Sequence, residues 1–219
     1  MSSQTKLITV EIWSDLVCPW CWLGLTRLER AIAQSDHGGS VELIHHSFRL
    51  APGAAPEPVE AMLGKKYGLP LGAAEENLRR IEATAAADGL TYDLAGTFIG
   101  DTLDAHRLVK LAATQGRGEA MVARFYRGYF SEHASLFDSE SLLRLAGEAG
   151  LDRDEAAKVL AGDDFRTAVE ADHHRLAELD GQGVPFFLIG GRFIVSGAQS
   201  ADLFGRALRK AWSARETAA

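Results

Sequence analysis

Hydrophobic and polar positions alternate from Leu7 to Trp13, and a period of two predicts a strand. Ile8, Val10 and Ile12 share one face; Thr9 and Glu11 share the other with Leu7 and Trp13. After a short polar break the spacing turns helical, with Cys21, Leu25, Leu28 and Ile32 on one stripe. Pro19 sits just inside the helix start, where its missing N–H costs little, and His37, Gly38 and Gly39 end the helix. Alternation resumes over 41–48. Strand, helix, strand is a βαβ unit, whose strands run parallel with a right-handed crossover.

Residues 51–58 hold three of the six prolines and read as a loop. From about 59 to 180 the signals are helical only. Leu69-Pro70-Leu71-Gly72 separates a first helix from a longer one over about 73–88. Asp101 or Thr102 can cap a helix striped by Ala105, Leu108, Val109 and Ala112. Further stripes run through Met121 to Tyr129, from Asp138 through Ala149, from Asp152 with Glu155 as a capping box, and from Asp163 to Leu179. Strand signals return at 186–189, a Gly190-Gly191 turn folds the chain back through Arg192–Val195, and a helix closes it over 200–213. The layout predicts an α/β unit from 1–50 plus 181–219, interrupted by an inserted all-helical domain over 51–180.

Composition narrows the function. The 219 residues are 47% hydrophobic and 24% charged, with a net charge of −7. That is the balance of a globular chain, and its sign argues against nucleic acid or an anionic membrane as partner. No run approaches the ~18 apolar residues of a membrane span. The N-terminal segment enters strand-like alternation with no apolar signal core, so the cytoplasm is the expected location. There a cysteine pair is more often catalytic or metal-binding than a structural staple.

Both cysteines of the chain lie in one C-x-x-C, Cys18-Pro19-Trp20-Cys21. Cys18 opens a helix directly after a strand, where unpaired N–H groups and the helix dipole favour a thiolate. Cys21 is in phase with the apolar stripe and is expected to face inward, while Cys18 faces out. Thiol–disulfide exchange needs that asymmetry, one thiol to attack and a neighbour to resolve the mixed disulfide. Trp20, between the two, is expected to be exposed and to supply apolar area for a substrate. The histidine pairs His45-His46 and His173-His174 lack the spacing of zinc ligands, and no metal is expected. Asp15 is expected to be solvated or to cap the loop.

A second signal stands at the far end of the chain. Val184-Pro185 precedes the apolar strand, and X–Pro bonds adopt cis readily. Together SDLVCPWCWLG (14–24), TLDAHRLVKLAATQGRGEAM (102–121), GLD (150–152), GVPFF (183–187) and VSGAQ (195–199) resemble the DsbA-like thiol–disulfide oxidoreductases, most closely the FrnE-like branch. The resemblance implies a thioredoxin-like fold, βαβ…ββα, over 1–50 plus 181–219. Cys18 would be its nucleophile, Cys21 its resolving thiol and Pro185 a cis-proline packed against the pair. Val184 would offer main-chain groups to an extended substrate, beside Pro19 and Trp20. Thr102 and His106 would line the substrate cleft. With tryptophan where periplasmic DsbA proteins carry histidine, the resemblance implies a less oxidising couple.

The resemblance also implies substrates that are disulfide-containing proteins or small molecules. No cofactor is expected to be bound. One cysteine pair leaves no internal relay, so glutathione or a thioredoxin-type protein is the expected electron partner. Two other readings share the architecture. One is a glutathione-dependent isomerase or kappa-class-like glutathione transferase using Ser14; the other is a metal-binding or chaperone-like module using the helical groove.

Overall fold

The computed structural model of the chain describes residues 7–216. Strand β1 (Ile8–Ser14) runs into helix α1 (Pro19–Ala33), which returns to β2 (Val41–Ser47). Two short strands, β3 (Glu57–Pro58) and β4 (Phe98–Ile99), flank α2 (Val59–Tyr67) and α3 (Leu71–Ala86). Then come α4 (Leu103–Thr114), α5 (Gly118–Glu132), α6 (Ser139–Glu148), α7 (Arg153–Ala161) and α8 (Arg166–Glu178). The chain ends with β5 (Phe186–Ile189), β6 (Phe193–Ser196) and α9 (Ala201–Glu216).

The main sheet has the order β2-β1-β5-β6. β1 and β2 are parallel, from Ile8 opposite Val41 to Ser14 opposite Ser47. β5 lies antiparallel to β1, with Ile12 opposite Phe187 and Trp13 opposite Phe186. β6 returns beside β5 through a turn at Gly190 and Gly191, whose φ values of 60° and 65° suit glycine.

Alternation along β1 divides the packing. Ile8, Val10 and Ile12 join Phe187 and Ile189 under α1 and α9, where Leu28 and Phe204 are fully buried. Each such side chain contributes about 1.5–3 kcal/mol. On the other face Trp13, Phe186 and Leu188 pack against Leu176 of α8. The first core continues without a break into α4, α5 and α6, through Leu108, Phe125 and Leu145. No helix among the described residues is long and apolar enough to cross a membrane.

The βαβ unit and the terminal ββα unit form as the spacing predicts. The β3–β4 ribbon does not follow the helical reading of 59–180. Its strands are two residues each, too short for a period to show. α3 starts at Leu71 rather than about 73 and ends at Ala86. α8 starts at Arg166, not Asp163, because Phe165 takes a left-handed conformation with φ 63°.

Two predictions concern this frame. A Cβ added at Gly24 of α1 would stand 3.1 Å from Phe187 Cζ and from Pro185 Cγ, and 3.4 Å from Ala198 Cα. Gly24→Ala is therefore expected to lower stability by roughly 1–3 kcal/mol, read as a lower urea midpoint at unchanged m-value. His45 Nδ1 finds no hydrogen-bond partner among the described residues. Burial first, then His46 and Lys110, push its pKa down to about 4. The unfolded chain takes up a proton on His45 below about pH 6.5 that the native state refuses until about pH 4. Stability should fall as pH drops across that window, and His45→Gln should flatten the fall in urea titrations at successive pH values.

Candidate active site

β1 ends at Ser14, and Asp15, Leu16 and Val17 carry the chain to α1. Cys18 is the residue that caps the helix, in extended conformation with φ −90° and ψ 112°. Its N–H donates to the Asp15 carbonyl at 3.1 Å, and the Cys21 N–H donates to the Cys18 carbonyl at 3.0 Å. The Cys18 side chain thus leaves the chain where the helix dipole is positive. Both cysteines are free thiols.

Cys21 is 1% exposed and Cys18 only 5% exposed. The outward-facing Cys18 expected from the helical phase is corrected here. Cys18 opens into a cavity rather than onto the outer surface, because Pro19, Trp20 and Leu50 stand beside it on the same wall. Burial raises the Cys21 thiol well above its ordinary pKa. A hydrogen bond and charge interaction with the Cys18 sulfur add to the rise, while a hydrogen bond with the Asp15 backbone opposes it. Cys21 therefore holds its proton when Cys18 reacts first.

The Val184–Pro185 peptide bond is cis. Pro185 is buried, its carbonyl accepts the Gly197 N–H at 2.8 Å, and its ring touches α1 at Gly24. Val184 lines the same cavity as Cys18. Trp20 is 40% exposed at the mouth. Pro19 is held by its carbonyl, which accepts the Tyr92 hydroxyl at 2.7 Å. Behind it Trp22 stacks on Tyr92 and Tyr126, with ring centroids 5.2 and 5.9 Å apart.

Thr102 and His106 do not line the cavity, contrary to the expectation from the resemblance. Both are buried, at 0% and 2% exposure. The Thr102 hydroxyl donates to Asp15 Oδ1 at 2.8 Å. His106 Nε2 lies 3.0 Å from the Phe48 carbonyl and 3.5 Å from Asp15 Oδ1. Asp15 is neither solvated nor exposed; it is fully buried, and its Oδ2 accepts the Leu50 N–H at 2.7 Å. The resemblance places them at the cleft, but here they face another buried polar group, Asp15. Ser14, the candidate for activating glutathione, is 4% exposed and also lies off the cavity wall.

The cavity measures about 820 Å³. Cys18, Pro19, Trp20, Leu50 and Val184 form one end, and α2, α3 and the β3–β4 ribbon form the other. Spacing alone did not bring Tyr92 or Tyr126 to the site. Tyr126 belonged to an apolar stripe, and only the fold sets it against Cys21, whose proximity adds to the burial that raises its phenol.

A βαβ unit joined to a ββα unit, two free thiols in a C-x-x-C at the start of the first helix, and a cis-proline facing that helix define a thioredoxin-type protein. The family model for the DSBA-like thioredoxin domain matches residues 9–209, and the chain belongs to that family. A structure described as a probable DsbA oxidoreductase from Streptomyces coelicolor is 44% identical, with a TM-score of 0.91, over 94% of this chain and 90% of that one. The Bacillus subtilis protein YwbO, itself described as uncharacterised, is 27% identical over 92% of this chain and 96% of its own length. The cytosolic disulfide reductase DsbM of Pseudomonas aeruginosa, solved with GSH, shares the fold at 21% identity and a TM-score of 0.60, over 95% of this chain and 98% of that one. The chain is homologous to DsbA-type oxidoreductases and is a thiol–disulfide oxidoreductase of that kind.

The Asp15 carboxylate joins three segments, which yields a prediction. Asp15→Ala leaves the Leu50 N–H and the Thr102 hydroxyl without an acceptor and is expected to destabilise the protein by about 3 kcal/mol. Thr102→Val removes one donor and is expected to cost about 1 kcal/mol. Urea unfolding of the two variants gives the comparison.

Proposed function

We propose that Cys18 and Cys21 form a redox couple that reduces or isomerises substrate disulfides in the cytoplasm. The observation that carries this reading is the pair of free thiols at the start of α1, one opening into a cavity beside Val184 and the other buried with its proton held. The Cys18 thiolate attacks one sulfur of a substrate disulfide. The substrate S–S bond breaks, its departing sulfur leaves as a thiolate and takes a proton, and a Cys18–substrate mixed disulfide forms. Cys21 then loses its proton and attacks the Cys18 sulfur. The second substrate sulfur leaves as a thiol, and the enzyme keeps the Cys18–Cys21 disulfide. Two electrons pass to substrate. An external thiol, glutathione or a thioredoxin-type dithiol, returns them, because the chain has no further cysteine.

Burial of Cys21 favours isomerisation as well as reduction. A resolving thiol that gives up its proton reluctantly lets the mixed disulfide live longer, and reshuffling needs that time. In this reading residues 1–50 and 181–219 carry the couple and Pro185, while 51–180 shape the cavity. Cytoplasmic placement is supported by cysteine usage, since both thiols are committed to one motif and none remains for a structural disulfide.

Cys18→Ser is expected to lower insulin reduction by at least a hundredfold. Cys21→Ser is expected to accumulate a mixed disulfide with substrate, visible by intact mass and released by dithiothreitol. A Cys18→Ser protein that still reduces insulin at the parent rate would refute the proposal.

A further inference from the structure

We propose that the Tyr126 hydroxyl is the hydrogen-bond donor that meets the Cys21 thiolate as it forms, in the step that resolves the mixed disulfide. The proposal rests on the redox reading above and assigns a further residue to that site. Three observations carry it.

The first is an orphaned polar group. Tyr126 of α5 is fully buried, and its hydroxyl makes no aligned hydrogen bond among the described residues. Its ring lies 8° from parallel to Trp22, the residue after Cys21, and Phe130 tilts against it with centroids 6.0 Å apart. Held between those rings, the hydroxyl cannot turn to solvent. A buried donor left unmet costs free energy, and one kept in the core calls for an acceptor that the resting state does not show.

The second is its neighbour. Cys21 is buried in the same apolar cluster. Among the charges that act on the phenol Cys21 stands first, ahead of Cys18 and Asp15, with the Ser14 hydroxyl near enough to ease its ionisation. Tyr92 is the other phenol on which both cysteines act. Its hydroxyl is already committed to the Pro19 carbonyl at 2.7 Å, which leaves Tyr126 as the uncommitted donor.

The third is need. Besides burial, the groups that act on Cys21 are Cys18 and Asp15. The Cys18 sulfur and the Asp15 carboxylate both oppose a negative charge there, and the Asp15 backbone alone favours it. His106 of α4 stands 3.5 Å from Asp15 Oδ1 and serves that carboxylate rather than the sulfur. A thiolate formed at Cys21 is thus a buried charge without a counter-charge, and a donor aimed at a charged acceptor counts most where water is excluded.

In the resolving step Cys21 loses its proton and its sulfur attacks the Cys18 sulfur. The Cys18–substrate S–S bond breaks, and the departing substrate sulfur takes up a proton. Tyr126 donates its hydrogen bond to the Cys21 sulfur and keeps its own proton. When an external thiol reopens the Cys18–Cys21 disulfide, the same bond steadies Cys21 as the leaving thiolate. Neither resting state holds that thiolate, so the hydroxyl acts on the rate and not on the redox equilibrium.

The test mixes reduced enzyme with dithiobis(nitrobenzoic acid) in a stopped-flow instrument. One thionitrobenzoate leaves as Cys18 forms the mixed disulfide, and a second leaves as Cys21 resolves it. Tyr126→Phe deletes only the oxygen and keeps the ring. It is expected to hold the first phase within twofold of the parent and to slow the second at least tenfold. The plot of the second phase against pH should move about one unit upward, the equivalent of that tenfold loss. The equilibrium constant against glutathione should stay within threefold, and the urea midpoint should stand at or above the parent's. A second phase within threefold of the parent overturns the role of Tyr126 and leaves the redox reading standing. So does an equilibrium constant shifted as far as the rate, or both phases slowed alike with a lowered urea midpoint, the mark of a structural tyrosine. A parent enzyme that releases one thionitrobenzoate only, with no Cys18–Cys21 disulfide by intact mass, overturns both.

Discussion

A carboxylate withdrawn from water has to be met by donors, and Asp15 is withdrawn completely. Its donors come from two places distant in sequence, the Leu50 N–H after β2 and the Thr102 hydroxyl at the start of α4. Its own backbone meanwhile holds the Cys18 N–H. One buried acid therefore ties the C-x-x-C turn to the edge of the sheet and to the helical excursion at once. The sulfurs, the cavity wall at Leu50 and the first turn of α4 cannot move independently without exposing that charge or orphaning its partners. The geometry of the thiols depends on this constraint more directly than on the apolar core beneath them.

A second buried carboxylate, on α8, repeats the device. Asp172 of α8 accepts the Ser47 N–H at 2.6 Å, lies 2.6 Å from His46 Nδ1 and pairs with the Lys110 ammonium from α4. Its carbonyl accepts the Trp13 indole at 2.9 Å. Burial alone would raise this carboxyl, but the donors from His46, Lys110 and Ser47 outweigh it and hold it below its ordinary range. Two carboxylates, Asp15 after β1 and Asp172 on α8, thus tie α4 and α8 to the β1–β2 pair. Apolar burial supplies most of the free energy, but it is not directional. Hydrogen-bonded carboxylates fix where the helices sit.

How much of this was legible depended on range. Strand β1, helix α1 and the Gly190-Gly191 hairpin follow from spacing and turn chemistry within a dozen residues, and the family resemblance carried the thioredoxin-like fold. Signals of local period stop at the partner of a polar group. Asp15 looked solvated because Thr102 lies 87 residues away. The family resemblance set Thr102 and His106 at the cleft, and the residue pattern could not correct it, because a polar side chain beside an apolar stripe reads the same whether it meets ligand or a buried acid. Cys18 looked exposed because helical phase gives direction around an axis and says nothing about what another segment places above it. The β3–β4 ribbon left no trace, since two residues cannot display alternation.

The same contrast separates the two ends of the cavity. Near Cys18 the chain is held at several points, by the Asp15 bonds, by the Tyr92 hydroxyl on the Pro19 carbonyl and by the close approach of Gly24 to Pro185. Reacting sulfur atoms require that, since exchange proceeds only when attacking and leaving sulfurs are aligned. At the far end, α2 is a nine-residue helix without a fully buried residue, and it ends at Gly68 in a left-handed conformation. Few buried apolar contacts place such an element at the low end of local stability. A firmly held thiol site thus faces a cavity whose far wall has less packing behind it.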